Sequence, residues 1–190
     1  WCGLNNNDPQ ERWQFEISRR KNDLNKMVKF LYDTKIAFAC GYNNISYDSQ
    51  VVQYIMTESE NWQHLTGDQI VDRIYEFSKD RIDDSNYDKK PPYNELYLDV
   101  PQIDVFTLPH YDNKNRRVSL KKLEFSMNAP DIEETPVPFH KEYLTDEEMD
   151  AIIHYCWNDV ECTYQWYKML RGDTEHSFYK GNDQLQARID

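Results

Sequence analysis

The chain has no run of 18 apolar residues, so no membrane-spanning helix is expected. It is also short of positive charge. Lys and Arg number 22 against 34 Asp and Glu, a net charge of −12. That balance excludes a protein that coats nucleic acid through a generally basic surface. Paired metal-type cysteines are missing as well. The four Cys (Cys2, Cys40, Cys156, Cys162) show no CxxC spacing, and Cys156 and Cys162 stand six apart in one helical stretch. They read as reduced core thiols of an intracellular protein, not as a disulfide framework. There is no internal repeat, signal peptide or starting Met, so the chain is expected to be a fragment or to have its beginning outside this sequence.

What is present argues for a folded chain. Mean hydropathy is −0.92, yet 14% of the residues are aromatic, with fourteen Tyr and five Trp. A disordered acidic chain is poor in such residues. A length of 190 residues suits one domain with a real core, or one domain plus an appendage. The acidity is local. Between Asp131 and Glu161 ten carboxylates face one base, Lys141, so −9 of the −12 lies there. Such a concentration is either a solvated helix face or a source of ligands for hard divalent cations.

Periodicity sets the order of elements. Trp1–Leu4 and the alternating segment Arg12–Ser18 predict a hairpin around the turn Asn5-Asn6-Asn7-Asp8-Pro9. Asn22 or Asp23 caps a helix through Tyr32, with Leu24, Met27, Val28 and Leu31 on one face. Lys35–Gly41 reads as a buried strand followed by a helix around Ser49–Met56. Further helices are expected at Thr66–Lys79 (Ile70, Val71, Ile74, Phe77) and Leu120–Phe125, the latter capped by Ser119. A strand is expected around Ile103–Phe106. Asp83–Asn94 and His110–Arg117 read as polar loop or turn, and Asp131–Tyr143 as irregular. Thr145-Asp146-Glu147-Glu148 fits a capping box that opens a helix to about Leu170. The class is α/β, with an antiparallel first pair.

Two places carry chemistry. The Lys35–Gly41 strand ends in Gly41-Tyr42-Asn43, and Asp48 follows Asn43 by five residues. Strand C-termini are where sites collect in α/β sheets. Asp48 therefore either holds a metal or caps the next helix. In the long helix, Tyr155 and Asp159 stand one turn apart on one face. Either they form a hydrogen-bonded pair within an ordinary helix, or Asp159 binds a cation while Tyr155 orients a water or phosphate beside it.

Taken together, these segments resemble the second and third motifs of the DnaQ-like (DEDD) 3′–5′ exonucleases. The second motif is similar to Asn43-Asn44-Ile45-Ser46-Tyr47-Asp48, and the third to Tyr155-Cys156-Trp157-Asn158-Asp159. Ile103-Asp104-Val105 and Ser119–Leu123 are similar to the intervening strand and helix. The overall flavour is that of the proofreading domain of bacteriophage-type DNA polymerases, over about residues 1–170, with 171–190 a linker or the start of a following region. The resemblance implies an RNase H-like fold, a mixed sheet flanked by helices, with the first strand of that fold missing from this chain. It implies a metal-dependent 3′–5′ exonuclease that removes nucleotides from single-stranded DNA 3′ ends. Two divalent cations, Mg²⁺ or Mn²⁺, would be bound with Asp48 and Asp159 among the ligands. Tyr155 matches the residue that positions the attacking water, and Asn43 and Tyr47 lie in the motif that meets the single-stranded 3′ end. The implied partner is a polymerase domain in cis or in trans, in the cytoplasm (of the host, for a phage-encoded protein). His154, five before Asp159, has the spacing of the family's His-type subclass. Tyr155, four before, has that of the Tyr-type and is preferred because it shares the face of Asp159.

The family's first motif, Asp-x-Glu, has no match. Glu16 lacks the preceding Asp, and Asp8 and Glu11 are wrongly spaced and lie in a turn. Because Trp1–Leu4 looks like the family's second strand, Asp-x-Glu is expected just upstream of Trp1. A native start at Trp1 would instead indicate a catalytically incomplete nucleic-acid-binding or scaffold module. A stand-alone nuclease of the same fold is the other alternative. Asp104 is similar to a strand Asp that supports the site without binding metal. His64, His110, His140 and His176 are scattered, and Arg19–Lys21 and Lys114–Arg117 read as solvated turns. Trp157, Tyr164, Trp166 and Tyr167 read as core or interface.

Overall fold

Short strands need partners, and the helices of this chain are placed to supply them. The computed structural model describes residues 1–82, 91–108, 118–129, 132, 134–138, 141, 143–175 and 179–186. Most of the expected polar loop at 83–94, the turn His110–Arg117 with its basic run, parts of Asp131–Tyr143, and His140 and His176 lie outside the described residues. The described residues are α/β, with five α-helices and two two-stranded sheets, one antiparallel and one parallel. Two units divide the chain: Trp1–Gln14 with Val105–Asp190, and Phe15–Asp104.

In the unit Phe15–Asp104, helix α1 (Leu24–Asp33) buries Leu24, Met27 and Leu31. Helix α2 (Asp48–Glu58) adds Ile55 and Met56, and α3 (Gly67–Ile82) adds Ile70, which is fully buried. Trp62 and Val100 complete this core. Tyr54 of α2 stacks on Phe77 of α3 at 4.3 Å and meets Trp62 edge-on. The expected apolar face of α3 holds except at Val71, which is exposed. Thr66 and Gln69 form a reciprocal cap: Gln69 N–H donates to Thr66 Oγ1, and Thr66 N–H to Gln69 Oε1.

Strand β3 (Ala39–Gly41) pairs in parallel with β4 (Gln102–Asp104). The strand expected from Lys35 is thus only three residues long. Lys35 takes a left-handed φ of 46°. The last bond before the ladder runs from Ala39 N–H to the carbonyl of Pro101, which has no N–H to carry the ladder further. The register is held from α2. Gln50, fully buried, accepts from Tyr93 N–H (3.0 Å) and donates to Tyr93 O (3.1 Å). Gln53, one turn on, accepts from Asp99 N–H (2.9 Å) and donates to Asp99 Oδ2 (2.7 Å). These two amides clamp the segment that leads into β4.

In the unit Trp1–Gln14 with Val105–Asp190, β1 (Cys2–Leu4) and β2 (Arg12–Gln14) form the expected hairpin around the Asn5–Pro9 turn. The strand stops at Gln14, not Ser18. Phe15 and Ile17 instead join the core of the other unit, and Ile17 bridges Asn22. The long helix α5 (Asp146–Leu170) starts at the Thr145–Glu148 capping box and ends where expected. It packs on β1. Arg12 pairs with Glu161 at 2.8 Å and lies over the Trp157 ring, and Trp157 Nε1 donates to Gln14. Trp166 and Tyr167 are buried, and Trp166 Nε1 donates to Val105 O. Helix α4 (Leu120–Ser126), capped by Ser119 accepting from Lys122 N–H, lies against α5. Beyond α5, Gly172 takes φ 72°, and Gln184 N–H returns to Leu170 O.

The cysteine expectation needs correction. All four are free thiols, but only Cys162 is buried. Cys2 and Cys156 are half-buried and Cys40 is exposed. The apolar run placed Cys40 in a strand correctly, but that strand is not buried as expected, because a two-stranded sheet leaves one of its faces open.

Asp23 shows how α1 starts. Asn22 Oδ1, not Asp23, accepts the Leu24 N–H. The buried Asp23 carboxylate accepts Glu16 N–H and pairs with Lys21 (2.7 Å) and Lys26 (3.1 Å). Burial opposes its charge, but these partners outweigh burial and hold its pKa below the ordinary carboxylate value. Its stabilising contribution is therefore full above the unfolded value of about 3.9 and is lost as pH falls through the lower folded value. Asp23→Asn should cost about 1–3 kcal/mol at neutral pH. In urea unfolding from neutral pH down to about pH 3, the gap between wild type and variant should narrow below about pH 4. A constant gap would refute this account.

Candidate functional site

The end of β3 makes a tight turn. Gly41 is required there, because a Cβ would stand 2.7 Å from Cβ and Cγ of Asn44. Asn43 takes φ 57°, in the left-handed region that Asn tolerates better than most residues. Its N–H donates to Oδ1 of the buried Asp104 at 2.8 Å, across the parallel pair from Gly41. Ser46 Oγ reaches Asn43 O (3.1 Å) and Oδ1 (3.0 Å). Buried Asn44 donates to Gln102 Oε1 at 2.6 Å, and its own carbonyl accepts from Tyr47 and Ser49 N–H.

The turn thus delivers the chain into α2 with Tyr47 at the N-cap position and Asp48 as the first helical residue. Tyr47 makes no side-chain cap bond. Asp48 is exposed and lies in the first turn, where a negative charge suits the helix dipole, so the capping alternative does not describe it. Asp104 is committed to the turn. Burial, with the Asp104 charge added to it, pushes the pKa of neighbouring Tyr42 up to about 12.

The second place is on α5. Tyr155 and Asp159 do share a face, and the link between them is a residue that periodicity alone did not single out. The Lys121 ammonium, from α4, pairs with Asp159 Oδ1 at 3.1 Å and lies 4.4 Å from the centre of the Tyr155 ring. It is also 3.4 Å from Oε2 of Glu124. Burial works against the charge on Lys121, but Asp159 and Glu124 outweigh it and hold its pKa above the ordinary lysine value. His154 is exposed. The signal in the sequence was the Ser119–Leu123 segment, which marked α4 but did not show which of its two lysines would reach α5.

Asn43, Tyr47 and Asp48 belong to the unit Phe15–Asp104, and Tyr155 and Asp159 to the other unit. Among the described residues no group of three or more His, Cys, Asp or Glu side chains is placed to hold a metal ion. The donor chemistry nonetheless suits Mg²⁺ or Mn²⁺. Mg²⁺ is commonly held by one or two carboxylates, with waters and substrate phosphate completing the shell. Asp159, about one-third exposed, already carries a cationic group in the Lys121 ammonium. Glu16, the nearest candidate for the missing first motif, is taken by Arg20 at 2.7 Å and by the Ser18 hydroxyl. Arg20 and Lys21 are likewise paired, with Glu16 and Asp23. No described helix is long and apolar enough to cross a membrane.

Comparison with protein-family models, curated proteins and solved structures returned no match.

The Asn43 turn depends on a charged acceptor, which makes it testable. Asp104→Asn keeps the shape but weakens the bond to Asn43 N–H, and should destabilise the protein by about 1–3 kcal/mol. Amide hydrogen exchange at Asn43 should accelerate by at least about tenfold, while exchange at the α5 amides stays unchanged. Unchanged exchange at Asn43 would refute the assignment.

Proposed function

We propose that this chain is a metal-dependent 3′–5′ exonuclease domain acting on single-stranded DNA 3′ ends, of the proofreading type associated with phage-type DNA polymerases. The observation that carries the reading is the α5 face on which Tyr155 and Asp159 share a cationic neighbour. A carboxylate that holds an ammonium beside a phenol is suited to hold a hard cation beside an oriented water. The Asn43–Asp48 turn at the end of a parallel strand is consistent with it. Its backbone is set by Asp104 and delivers Asp48 at the start of a helix.

In this reading two divalent cations, Mg²⁺ or Mn²⁺, have Asp48 and Asp159 among their ligands. When bound, such ions stabilise charge at the phosphodiester and make water a stronger nucleophile. Tyr155 orients the attacking water through its hydroxyl. Asn43 and Tyr47 position the 3′ end, and the polymerase domain, in cis or in trans, supplies frayed ends. The finer reading of the fold is an RNase H-like sheet lacking one strand. A second reading, a catalytically incomplete nucleic-acid-binding or scaffold module, is favoured by the engagement of Glu16 with Arg20. A stand-alone nuclease would use the same residues.

The test is release of 3′ nucleotides from single-stranded DNA by the full-length protein with Mg²⁺ or Mn²⁺. Asp48→Ala and Asp159→Ala should each lower the rate by at least about a hundredfold. Tyr155→Phe should lower it by roughly a hundredfold, and His154→Ala should leave it near wild type. Activity that survives both aspartate substitutions, or that needs no divalent cation, removes the two-metal reading. Loss in His154→Ala with full activity in Tyr155→Phe would reverse the choice between those two residues. An inactive wild type that still binds single-stranded DNA supports the second reading.

A further inference from the structure

Glu124 is a carboxylate that the fold buries completely, yet among the described residues neither of its oxygens has a hydrogen-bond partner. A charge in that position is costly unless a countercharge is at hand. The cationic group that reaches it is Lys121, one turn earlier on α4, whose ammonium stands 3.4 Å from Oε2. The same ammonium is hydrogen-bonded to Asp159 Oδ1 at 3.1 Å. The Cys162 thiol also lies against Glu124. Burial and the nearby carboxylates push its pKa up to about 11, so it stays protonated, and a thiol is too weak a donor to replace a cation.

Lys121 therefore has two carboxylates within reach, and they differ in one respect. The Asp159 side chain is about one-third exposed and open to ions from solvent, whereas Glu124 is closed. We propose that Glu124 is the second seat of the Lys121 ammonium: Lys121 neutralises Asp159 in the metal-free protein and moves onto Glu124 when a divalent cation takes Asp159. This rests on the reading of Asp159 as a metal ligand and gives Glu124 a positioning role that acts through Lys121. An ammonium and a divalent cation cannot share one carboxylate at contact distance without strong repulsion. An ammonium driven into solvent would leave Glu124 buried and uncompensated. A short swing onto Glu124 resolves both costs. Before binding one ammonium serves two carboxylates, and afterwards each carboxylate has its own cation.

The test is a Mn²⁺ titration of the full-length protein followed by calorimetry, with no nuclease readout. Glu124→Gln should weaken Mn²⁺ binding about tenfold, the usual scale for groups that act through a metal ligand, because Lys121 then has no seat but Asp159. Lys121→Met should bind at least as tightly as wild type, and adding Glu124→Gln to it should change nothing further. Unchanged affinity in Glu124→Gln, or an equal loss with and without Lys121, overturns the proposal. Asp159→Asn separates the two levels. If Mn²⁺ binding ignores Asp159, the metal reading fails and the second seat with it. If binding needs Asp159 but ignores Glu124, only the second seat fails. A measurement on wild type needs no Glu124 variant: the Lys121 Nζ signal in ¹⁵N-lysine NMR should shift on saturation with Mg²⁺ while staying protected from water. No shift, or loss of the signal to exchange with water, overturns the proposal.

Discussion

A two-stranded sheet has almost no stability of its own in water. Both sheets among the described residues are of that size, and much of the remaining structure answers to it. The antiparallel pair is pinned by α5, through the Arg12–Glu161 ion pair, the Arg12–Trp157 contact and the Trp157–Gln14 hydrogen bond. The parallel pair is pinned by buried amides. Gln50 and Gln53 hold the approach to β4, Asn44 bonds Gln102, and Asp104 bonds the backbone of Asn43. Gln50 and Gln53 can do this because a side-chain amide offers both a donor and an acceptor, and their oxygens take the Tyr93 and Asp99 N–H groups that a longer sheet would have satisfied by pairing.

The same constraint explains how the candidate site is made. Asn43 is held in a left-handed conformation because a carboxylate on the neighbouring strand takes its N–H, so strand pairing and turn geometry are one arrangement. On α5 the site is made by helix packing. Lys121 reaches Tyr155 and Asp159 only because α4 lies against α5. The acidic window from Asp131 to Glu161 then divides by role. Asp146, Glu147 and Glu148 occupy the first turn of α5, where the helix dipole favours them. Glu148 also pairs with Lys141, and Glu161 holds Arg12. Asp159 is the acid in the window whose countercharge comes from α4. A net charge of −12 is therefore no obstacle to a protein that meets one strand end through cations.

Helices were the legible part. The start of α5 was written in Thr145 and Glu148, that of α4 in Ser119, and the face of α1 in Leu24, Met27 and Leu31, because caps and 3.6-residue spacing are local signals. Strands were legible in place but not in length. Arg12–Ser18 alternates throughout, yet pairs with β1 only to Gln14, and Lys35–Gly41 pairs only from Ala39. Alternation records which side of a strand is apolar. It does not record where a partner strand ends, which here was set by Pro101 for one pair and by the start of β1 at Cys2, opposite Gln14, for the other.

The sequence by itself determined that Tyr155 and Asp159 share a face and that Asp48 follows a strand-ending turn, since both follow from spacing along one element. Only the tertiary structure decided that Lys121 rather than Lys122 serves that face, that Glu124 is buried beside it, and that Asp104 spends its carboxylate on Asn43. These are contacts between residues far apart in the chain. Periodicity within one element carries no information about which neighbour packing will bring to it.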